Sequence, residues 1–326
     1  MRVLVGDIGG THARLALCRV ADGRYEWEAT ETASSPEHES LEELVAEFRS
    51  RHGGTLAAAC FGVPGPVREG RAHLTNLPWV VEERTLARAA GVSRAILLND
   101  AEAKGWGMGI LGEEDVAGVK EGEDAPGNRA LLAAGTGLGQ SILFWDGRLH
   151  RPFATEGGQA AFSPAGALQE ALLASLRERF GGHVSWERVL SGPGLVNLHD
   201  FLVRHRGAEL DSAHREVLDR TRPEVITRAA AEGTCPLCRE AVALFVTLYG
   251  SEAGNLALRT MARGGVYLGG GIAPDLVEEL RGEAFREAFL AKGRMRGLLE
   301  TIPVRVILDE HTALRGAVRR ATMGEC

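Results

Sequence analysis

The sequence predicts an α/β protein that consists of two domains with a cleft between them. Its 326 residues exceed one typical domain and suffice for two, each with its own core. Strand, loop and helix patterns alternate along the chain, as they do in α/β folds. The 42 glycines are nearly double the average frequency of about 7%. Their densest groups follow predicted strands, where glycine lets the backbone come close to a ligand.

The first elements are a strand pair and a strand with its helix. Arg2–Gly6 is a short apolar run, and Ala13–Val20 is its antiparallel partner across a glycine turn. Apolar residues at a spacing of three and four predict a helix over Ser40–Arg51, with Ser40 as its N-cap. Thr55–Val63 reads as a buried strand.

The later elements continue the alternation. The apolar strand Ala95–Leu98 ends at Asn99 and Asp100, and Ala101–Met108 is predicted to be helical. The remaining predicted strands are Arg129–Ala134, Gly264–Leu268 and Val304–Leu308. The remaining predicted helices are Gly166–Phe180, one or two long helices over Pro236–Met261, and Ala313–Thr322.

Charge and hydropathy exclude several classes of protein. A net charge of -7 without a dense Lys/Arg stripe argues against a nucleic-acid partner, which requires clustered cations. The first residues, Met1–Ile8, are too short and too acidic for the apolar region of a signal peptide, so a cytoplasmic location is expected. The longest uncharged apolar stretch near the C-terminal half, Ala241–Tyr249, is shorter than the roughly 20 residues of a membrane span, so no membrane is expected.

The five cysteines form an odd, scattered set, which suits a reducing compartment better than a disulfide scaffold. Cys235 and Cys238 have the C-x-x-C spacing of a zinc site or a redox pair. No second pair stands nearby in the sequence to complete a tetrahedral site. We therefore favour a helix-entry turn with two ordinary thiols, with zinc binding and redox chemistry as the alternatives.

Three glycine-rich loops have the composition of a nucleotide site. They are Asp7-Ile8-Gly9-Gly10-Thr11, Gly135-Thr136-Gly137-Leu138-Gly139 and Gly269-Gly270-Gly271. Without a P-loop lysine, a phosphate needs backbone N–H groups that point at it, and glycine permits this approach. The hydroxyls of Thr11 and Thr136 can donate to phosphate oxygens, and Asp7 suits Mg²⁺ or its bound water. The third loop could let a purine or ribose lie against the backbone.

These loops resemble the phosphate 1, phosphate 2 and adenosine motifs of the actin-like ATPases. Within that superfamily the sequence is similar to the bacterial glucokinase family on four further stretches: Thr75-Asn76, Leu98-Asn99-Asp100, Glu156-Gly157-Gly158, and residues 185–192. The resemblance implies a ribonuclease H-like fold with mixed five-stranded sheets and an interdomain cleft. It implies phosphorylation of glucose by ATP with Mg²⁺. The ROK-type zinc cluster is missing, so the zinc-free group is indicated and no zinc is expected.

The resemblance also assigns residues to roles. The cofactor-binding residues are Gly6, Asp7, Ile8, Gly9, Gly10, Thr11, Gly135, Thr136, Gly137, Gly269, Gly270 and Gly271, with Asp7 as the Mg²⁺ residue, through water. The substrate-binding residues are Asn76, Asn99, Asp100, Glu156, Gln159 and Glu187. Asp100 is the catalytic base, since a carboxylate at a strand's carboxyl end can accept the proton of an attacking hydroxyl. Its alternative role is to cap the helix that follows, and the two roles can coexist.

The residues assigned to the sugar have side chains that can hydrogen-bond with its hydroxyl groups. Glu156 and Glu187 accept hydrogen bonds, and Asn99 both donates and accepts. The alternative for each Glu is an ordinary surface carboxylate. Gln159 stands where the family usually has His, and it cannot ionise, so selectivity among glucose, mannose, glucosamine and fructose stays open. A non-catalytic sugar-sensing regulator and an actin-like scaffold are the competing classes of protein.

The expected domain organisation follows from the same resemblance. Residues 1–108 and 304–326 form a small α/β domain, and residues 109–303 form a large one that carries the long helices and the adenosine motif. A glycine-rich hinge is expected near residues 106–112, because sugar-driven closure would assemble the site only with substrate present. The family implies a homodimer.

Overall fold

The computed structural model describes residues 1–21, 24–74, 77–207 and 222–323. Asn76, which the sequence assigns to the sugar, lies outside the described residues, as does Cys326. The chain divides into two compact units. Unit 1 comprises residues 1–112, 146–154 and 309–326, and unit 2 comprises residues 113–145 and 155–308.

The strands are numbered in chain order. They are β1 (Arg2–Ile8), β2 (His12–Ala21), β3 (Arg24–Ser34), β4 (Ala58–Val63), β5 (Val67–Arg68), β6 (Arg71–His73), β7 (Val80–Glu82), β8 (Ala95–Asn99), β9 (Val116–Lys120), β10 (Arg129–Ala134), β11 (Leu138–Trp145), β12 (His150–Thr155), β13 (Val266–Gly269) and β14 (Val304–Ile307).

The α-helices are numbered in the same way. They are α1 (Leu41–Arg51), α2 (Glu83–Ala90), α3 (Asp100–Gly107), α4 (Ala167–Phe180), α5 (Gly192–Arg206), α6 (Pro223–Ala231), α7 (Pro236–Thr260), α8 (Val277–Leu280), α9 (Glu283–Leu290), α10 (Arg296–Thr301) and α11 (Thr312–Thr322).

The main sheet of unit 1 has five strands in the order β3-β2-β1-β4-β8. The predicted hairpin is confirmed, because β1 pairs with β2 antiparallel, with Val5 opposite Ala16. The strands β1, β4 and β8 run parallel. The mixed five-stranded sheet that the resemblance implies is therefore present. Strand β3 was not predicted. Its Tyr25 and Trp27 alternate with glutamates, as in a half-exposed strand, but it lacks the apolar run of the buried strands.

The second sheet has six strands in the order β12-β11-β10-β13-β14-β9, one more than the resemblance implies. Its centre is parallel, since β10 pairs with β13 and β13 with β14. The sequence assigned residues 304–326 to the small domain, but β14 lies in unit 2. The physical reason is that β13 and β9 supply hydrogen-bond partners on both of its sides. Its residues Val304 and Val306 are buried in the core of unit 2.

Two helices illustrate how the sequence sets helix ends. The Ser40 side chain caps α1 as predicted, accepting a hydrogen bond of 3.1 Å from the Glu43 N–H. The long apolar segment forms one helix, α7, which has proline in its first turn and is followed by the C-cap residue Met261 in the left-handed conformation. By length and composition α7 could cross a membrane, but 72% of its most apolar window is buried inside the protein. This burial is that of a core helix.

Helices α3 and α11 meet at two glycines in unit 1. A Cβ at Gly107 would lie 2.0 Å from the Thr312 carbonyl oxygen, and one at Gly316 would lie 1.8 Å from the Ala103 carbonyl oxygen. Gly109 lies close to the Arg319 side chain in the same way. The sequence assigned the glycines near residues 106–112 to a hinge. The structure shows that Gly107 permits close packing of α3 against α11, together with Gly316, while Gly109 faces the Arg319 guanidinium.

The C-x-x-C pair forms the predicted entry to a helix. The Cys235 sulfur caps α7, accepting from the Cys238 N–H at 3.1 Å. The expectation of two free thiols is wrong, because the structure joins Cys235 to Cys238 as a disulfide. The helix start holds their Cα atoms 5.2 Å apart, which is within the range of disulfides. His199 lies beside the pair, and all three residues are buried.

Candidate active site

Asp7 and Asp100 lie at one edge of the unit 1 sheet. The parallel strands β1, β4 and β8 end there, with Asp7 opposite Gly62 and Val63 opposite Asn99. A Cβ at Gly62 would lie 3.8 Å from both the Asp100 Cα and the Gly6 carbonyl oxygen. The tightest neighbour of such a Cβ would be the Ala103 Cβ, at 3.0 Å, so Gly62 gives room to α3, which begins with Asp100. Sequence reasoning missed Gly62, since it sits inside an apolar run.

Asn99 and Asp100 lie at the start of α3, and both contact an N–H group of its first turn. The Asn99 Oδ1 accepts a hydrogen bond of 2.9 Å from the Ala101 N–H, and its Nδ2 donates to the Gly65 carbonyl at 3.1 Å. The N-cap residue is Asn99, and the Asp100 Oδ1 accepts from the same Ala101 N–H at 2.9 Å, so Asp100 shares the capping role that the sequence offered to it. The Asp100 side chain is 34% exposed, and its Oδ2 lies 4.0 Å from the Lys104 Nζ. One Asp100 oxygen is thus available to a ligand.

The Asp7 carboxyl has the most perturbed electrostatic surroundings of this site. Desolvation by burial raises its pKa above the usual range, and the neighbouring Asp100 raises it further. Lys104, Arg14 and His311 oppose this by lowering the Asp7 pKa. Two carboxylates near each other in a partly buried site favour a bound cation, and Mg²⁺ prefers carboxylate oxygens. The residues present fit the predicted Mg²⁺ role of Asp7.

The first glycine loop is closed by its own hydrogen bonds. The Gly9 N–H donates to the His12 carbonyl at 2.8 Å, and the Ser35 hydroxyl donates to the Gly9 carbonyl at 2.8 Å. The Gly9 N–H is therefore hydrogen-bonded within the turn, whereas the sequence suggested that it faces a phosphate. Thr11 follows it and is exposed, so its hydroxyl is available.

The second and third glycine loops are neighbours in unit 2. They follow the parallel strands β10 and β13, and the Ile272 N–H donates to the Ala134 carbonyl at 3.4 Å. Gly270 has a φ of +82° and faces that same carbonyl oxygen, 2.1 Å from the position of a Cβ. The Gly135 N–H is used within its loop, donating to the Gly137 carbonyl at 2.9 Å, while Thr136 is exposed.

Three of the predicted sugar residues come together in unit 2. The Gln159 Nε2 donates to the Glu187 Oε1 at 3.0 Å. The Leu138 N–H, in the second glycine loop, donates to the Glu187 Oε2 at 2.9 Å. Glu156 is exposed at the start of the turn Gly157–Gln159, and its carbonyl accepts from the Gln159 N–H at 3.0 Å. These acceptors form a polar group of the kind that sugar hydroxyls need.

His183 also belongs to this group, since its Nε2 donates to the Gln159 carbonyl at 2.9 Å. The sequence carries no signal for it, because it lies in a glycine-flanked loop that resembles no motif. The predicted residues therefore form one group in unit 1, around Asp7 and Asp100, and one group in unit 2, around Glu187.

Comparisons with known proteins cover almost the whole chain. A family model described as Glucokinase matches residues 4–323. The glucokinase of Synechocystis sp. is 38% identical over 341 aligned residues, which cover 96% of each chain. The crystal structure of a glucokinase from an Antarctic psychrotroph superposes with a TM-score of 0.81 at 30% identity, over 98% of both chains.

A third protein extends the likeness in fold. The glucokinase of Balamuthia mandrillaris, solved in complex with glucose, has a TM-score of 0.83 at 22% identity, covering 99% of this chain and 94% of that one. The two-domain actin-like architecture that the sequence predicted is the fold of these structures.

Proposed function

The chain belongs to the glucokinase family, and we propose that it transfers the γ-phosphoryl group of ATP to the 6-hydroxyl of glucose. Similarity to glucokinases over nearly the full length is the observation that carries this proposal. The position of Asp100 beside the first glycine loop supports it. An intact carboxylate there argues against a non-catalytic sugar-sensing regulator.

Asp100 is the general base. Its partly exposed carboxylate accepts the proton of the 6-hydroxyl as that oxygen bonds to phosphorus, while the bond from phosphorus to the leaving ADP oxygen breaks. Lys104, near Asp100 Oδ2, compensates the charge of this carboxylate and of Asp7. Asn99 fixes the start of α3 and so the direction in which Asp100 projects.

The sugar is held by carboxylate and amide groups. Glu187 already accepts from Leu138 and Gln159, and a carboxylate has about four acceptor positions, so two remain for hydroxyls. Glu156, Asn99 and Asn76 complete the predicted set. A site of this kind rejects analogues that lack a hydroxyl, because its polar atoms would be left unpaired.

ATP is held by the three glycine loops, with the hydroxyls of Thr11 and Thr136 on phosphate oxygens. Asp7 would hold Mg²⁺, through water, and the ion would offset the negative charge of the transferred phosphoryl group. Zinc has no part in this transfer. We further propose a cytoplasmic homodimer in which sugar binding closes two domains and so limits hydrolysis of ATP by water.

A second candidate function is phosphorylation of another hexose or an amino sugar, namely mannose, glucosamine or fructose. The observation that favours it is Gln159, which replaces the usual His of the family and donates to Glu187. Phosphorylation assays across these hexoses separate the two candidates, and the ratio of kcat/KM values identifies the substrate.

The decisive experiment is steady-state kinetics of wild type and Asp100→Asn with ATP and the hexose panel. Loss of a general base is expected to lower kcat by roughly 10² to 10⁴. Asp275→Asn is the matched control, because Asp275 is an exposed carboxylate in another part of the chain, and it should keep wild-type kcat. An Asp100→Asn enzyme that retains more than about one tenth of the turnover would remove Asp100 from this role.

A further inference from the structure

A buried polar pair lies in unit 2 beneath the predicted sugar residues. Gln140 of β11 is 1% exposed and Glu252 of α7 is 0% exposed. The Gln140 Nε2 donates to the Glu252 Oε1 at 3.1 Å. Polar groups are buried at a cost unless they are hydrogen-bonded, so a pair of this kind needs a structural or functional reason. Neither residue is part of the loops and motifs assigned above.

Two further residues of α7 hold the Glu252 carboxylate in place. The Arg259 Nη1 donates to its Oε1 at 2.9 Å, and the Asn255 Nδ2 donates to its Oε2 at 2.9 Å. An ionised carboxylate only accepts hydrogen bonds, so the NH₂ group of Gln140 must face it. The Gln140 carbonyl oxygen then necessarily faces the opposite way. Glu252 therefore sets the orientation of the Gln140 amide.

The opposite side of Gln140 is the turn that carries Glu156 and Gln159. A Cβ at Gly157 would lie 2.2 Å from the Gln140 Oε1, and one at Gly158 would lie 2.1 Å from the Leu138 carbonyl oxygen. The turn thus rests directly on the first residues of β11. The Leu138 carbonyl leaves room for glycine alone at position 158, and Gly157 lies against the Gln140 side chain. The same strand gives the Leu138 N–H to Glu187. Its first residues support every predicted sugar residue of unit 2.

We propose that Glu252 is a positioning residue for sugar binding, which acts through Gln140 to hold the turn of residues 156–159 in its sugar-binding conformation. The inference rests on the proposed function in that it assigns this turn to the hexose. A buried network with all its members paired specifies one conformation, whereas a loosened network permits several. Removing the network should therefore weaken hexose binding while the nucleotide loops remain as they are.

The first test replaces Gln140 by Met, which keeps the length of the side chain and removes its amide. Glu252 keeps its contacts with Arg259 and Asn255. We expect the KM for the hexose to rise about ten-fold, with kcat and the KM for ATP changed less than about two-fold. Gln169→Met is the matched control, since Gln169 is a buried glutamine of α4 whose Oε1 accepts from the Ala165 N–H at 2.8 Å. It should lower the Tm comparably and leave the hexose KM unchanged.

The second test asks whether Glu252 acts through Gln140. Glu252→Gln alone should raise the hexose KM, because a neutral amide no longer fixes the orientation of Gln140. In the Gln140→Met background the same change should have no further effect on that KM. Additive effects, or a hexose KM in Gln140→Met no higher than in Gln169→Met, would overturn the proposal. An equal rise in the KM for ATP would overturn it too, since that is the result of a merely structural role.

The substrate assignment is tested separately in the same experiment. Wild type is first assayed across the hexose panel, and the KM of the variants is read with the hexose that wild type phosphorylates best. A wild type that phosphorylates another hexose would contradict the glucose assignment and still test the positioning role. A wild type without any hexose kinase activity would contradict the proposed function itself, and with it the positioning role.

Discussion

The backbone N–H of Leu138 donates a hydrogen bond of 2.9 Å to the Glu187 Oε2. A residue of the second glycine loop thereby contacts a residue assigned to the sugar. The other oxygen of Glu187 accepts from the Gln159 Nε2 at 3.0 Å. Glu187 is therefore a shared support, a residue that binds both the sugar site and the second glycine loop. A change in how Glu187 binds the sugar should also shift the loop assigned to phosphate.

Replacing Glu187 by Gln should affect both substrates. The Gln carboxamide offers one acceptor oxygen where the carboxylate offers two, so it cannot serve Leu138, Gln159 and a sugar hydroxyl together. We expect the KM for glucose to rise at least about ten-fold and the KM for ATP about three-fold, measured by coupled kinetics. Gln159→Ala is the control and should raise only the glucose KM. A Glu187→Gln enzyme with an unchanged ATP KM would contradict the shared support.

Replacing Asp7 by Asn should stabilise the protein while impairing catalysis. The pKa of Asp7 is raised in the folded state, mainly by desolvation, so the folded protein binds this proton more tightly than the unfolded chain. The contribution of this carboxyl to the free energy of unfolding therefore falls as the pH rises from about 4 through the folded-state pKa. The Asn variant avoids this loss because its amide does not ionise.

Thermal unfolding of wild type and Asp7→Asn from pH 4 to pH 8 checks this expectation. The Tm of the variant should exceed that of wild type at pH 8, and the difference should shrink toward pH 4. Its Mg²⁺-dependent turnover should drop at the same time. A Tm difference that does not depend on pH would show that the ionisation of Asp7 is not its cause.

The third glycine loop offers two adjacent positions with opposite surroundings. Gly270 has a φ of +82° and no room for a Cβ, whereas a Cβ at Gly271 would meet nothing within 4 Å. Gly270→Ala should therefore lower the Tm and raise the KM for ATP, because both backbone strain and a clash with Ala134 displace the loop.

Gly271→Ala separates nucleotide binding from stability. The methyl group meets open space in the protein, so the Tm should stay within about one degree of wild type. If adenosine packs against this loop, the methyl group occupies part of its place and the KM for ATP should rise several-fold. An unchanged KM for ATP in Gly271→Ala would exclude this residue from the nucleotide site.

Lys120 should matter for stability alone. Its buried Nζ donates to the carbonyls of Glu121, Glu300 and Ile302 at 2.8 to 2.9 Å. Replacing it by Met leaves these three acceptors without that donor, which we expect to cost about 2 to 4 kcal/mol. Thermal unfolding should show a Tm lower by several degrees, with kcat at 25 °C unchanged. A Tm equal to that of wild type would mean that water replaces the ammonium group.

Short-range signals made much of the fold readable from the sequence. The strands before the glycine loops contain apolar runs with glycine at or just after their ends, and the Ser40 cap precedes a helical pattern. Asn99 and Asp100 could be placed at a strand end for the same reason. Which of the two residues is the N-cap could not be predicted, because this depends on which of them has extended backbone.

The features that sequence reasoning missed depend on contacts between distant residues. Gln140 and Glu252 are 112 positions apart, and nothing near either residue indicates the other. Gly62 has the sequence context of an ordinary strand residue, and only the folded sheet places Asp100 beside it. The polar strand β3 forms because β2 offers it an open edge. Each of these is a property of the assembled sheet or core.

The packing of α11 in unit 1 has a consequence for the order in which the protein folds. Leu314 and Val318 belong to the same core cluster as Val3 and Val5, so the first strand cannot complete its packing before the last helix is made. During synthesis the ribosome completes unit 2 before it makes α11. We expect the apolar side of β1 to stay uncovered until α11 has left the ribosome, so unit 2 can fold before unit 1 completes its core.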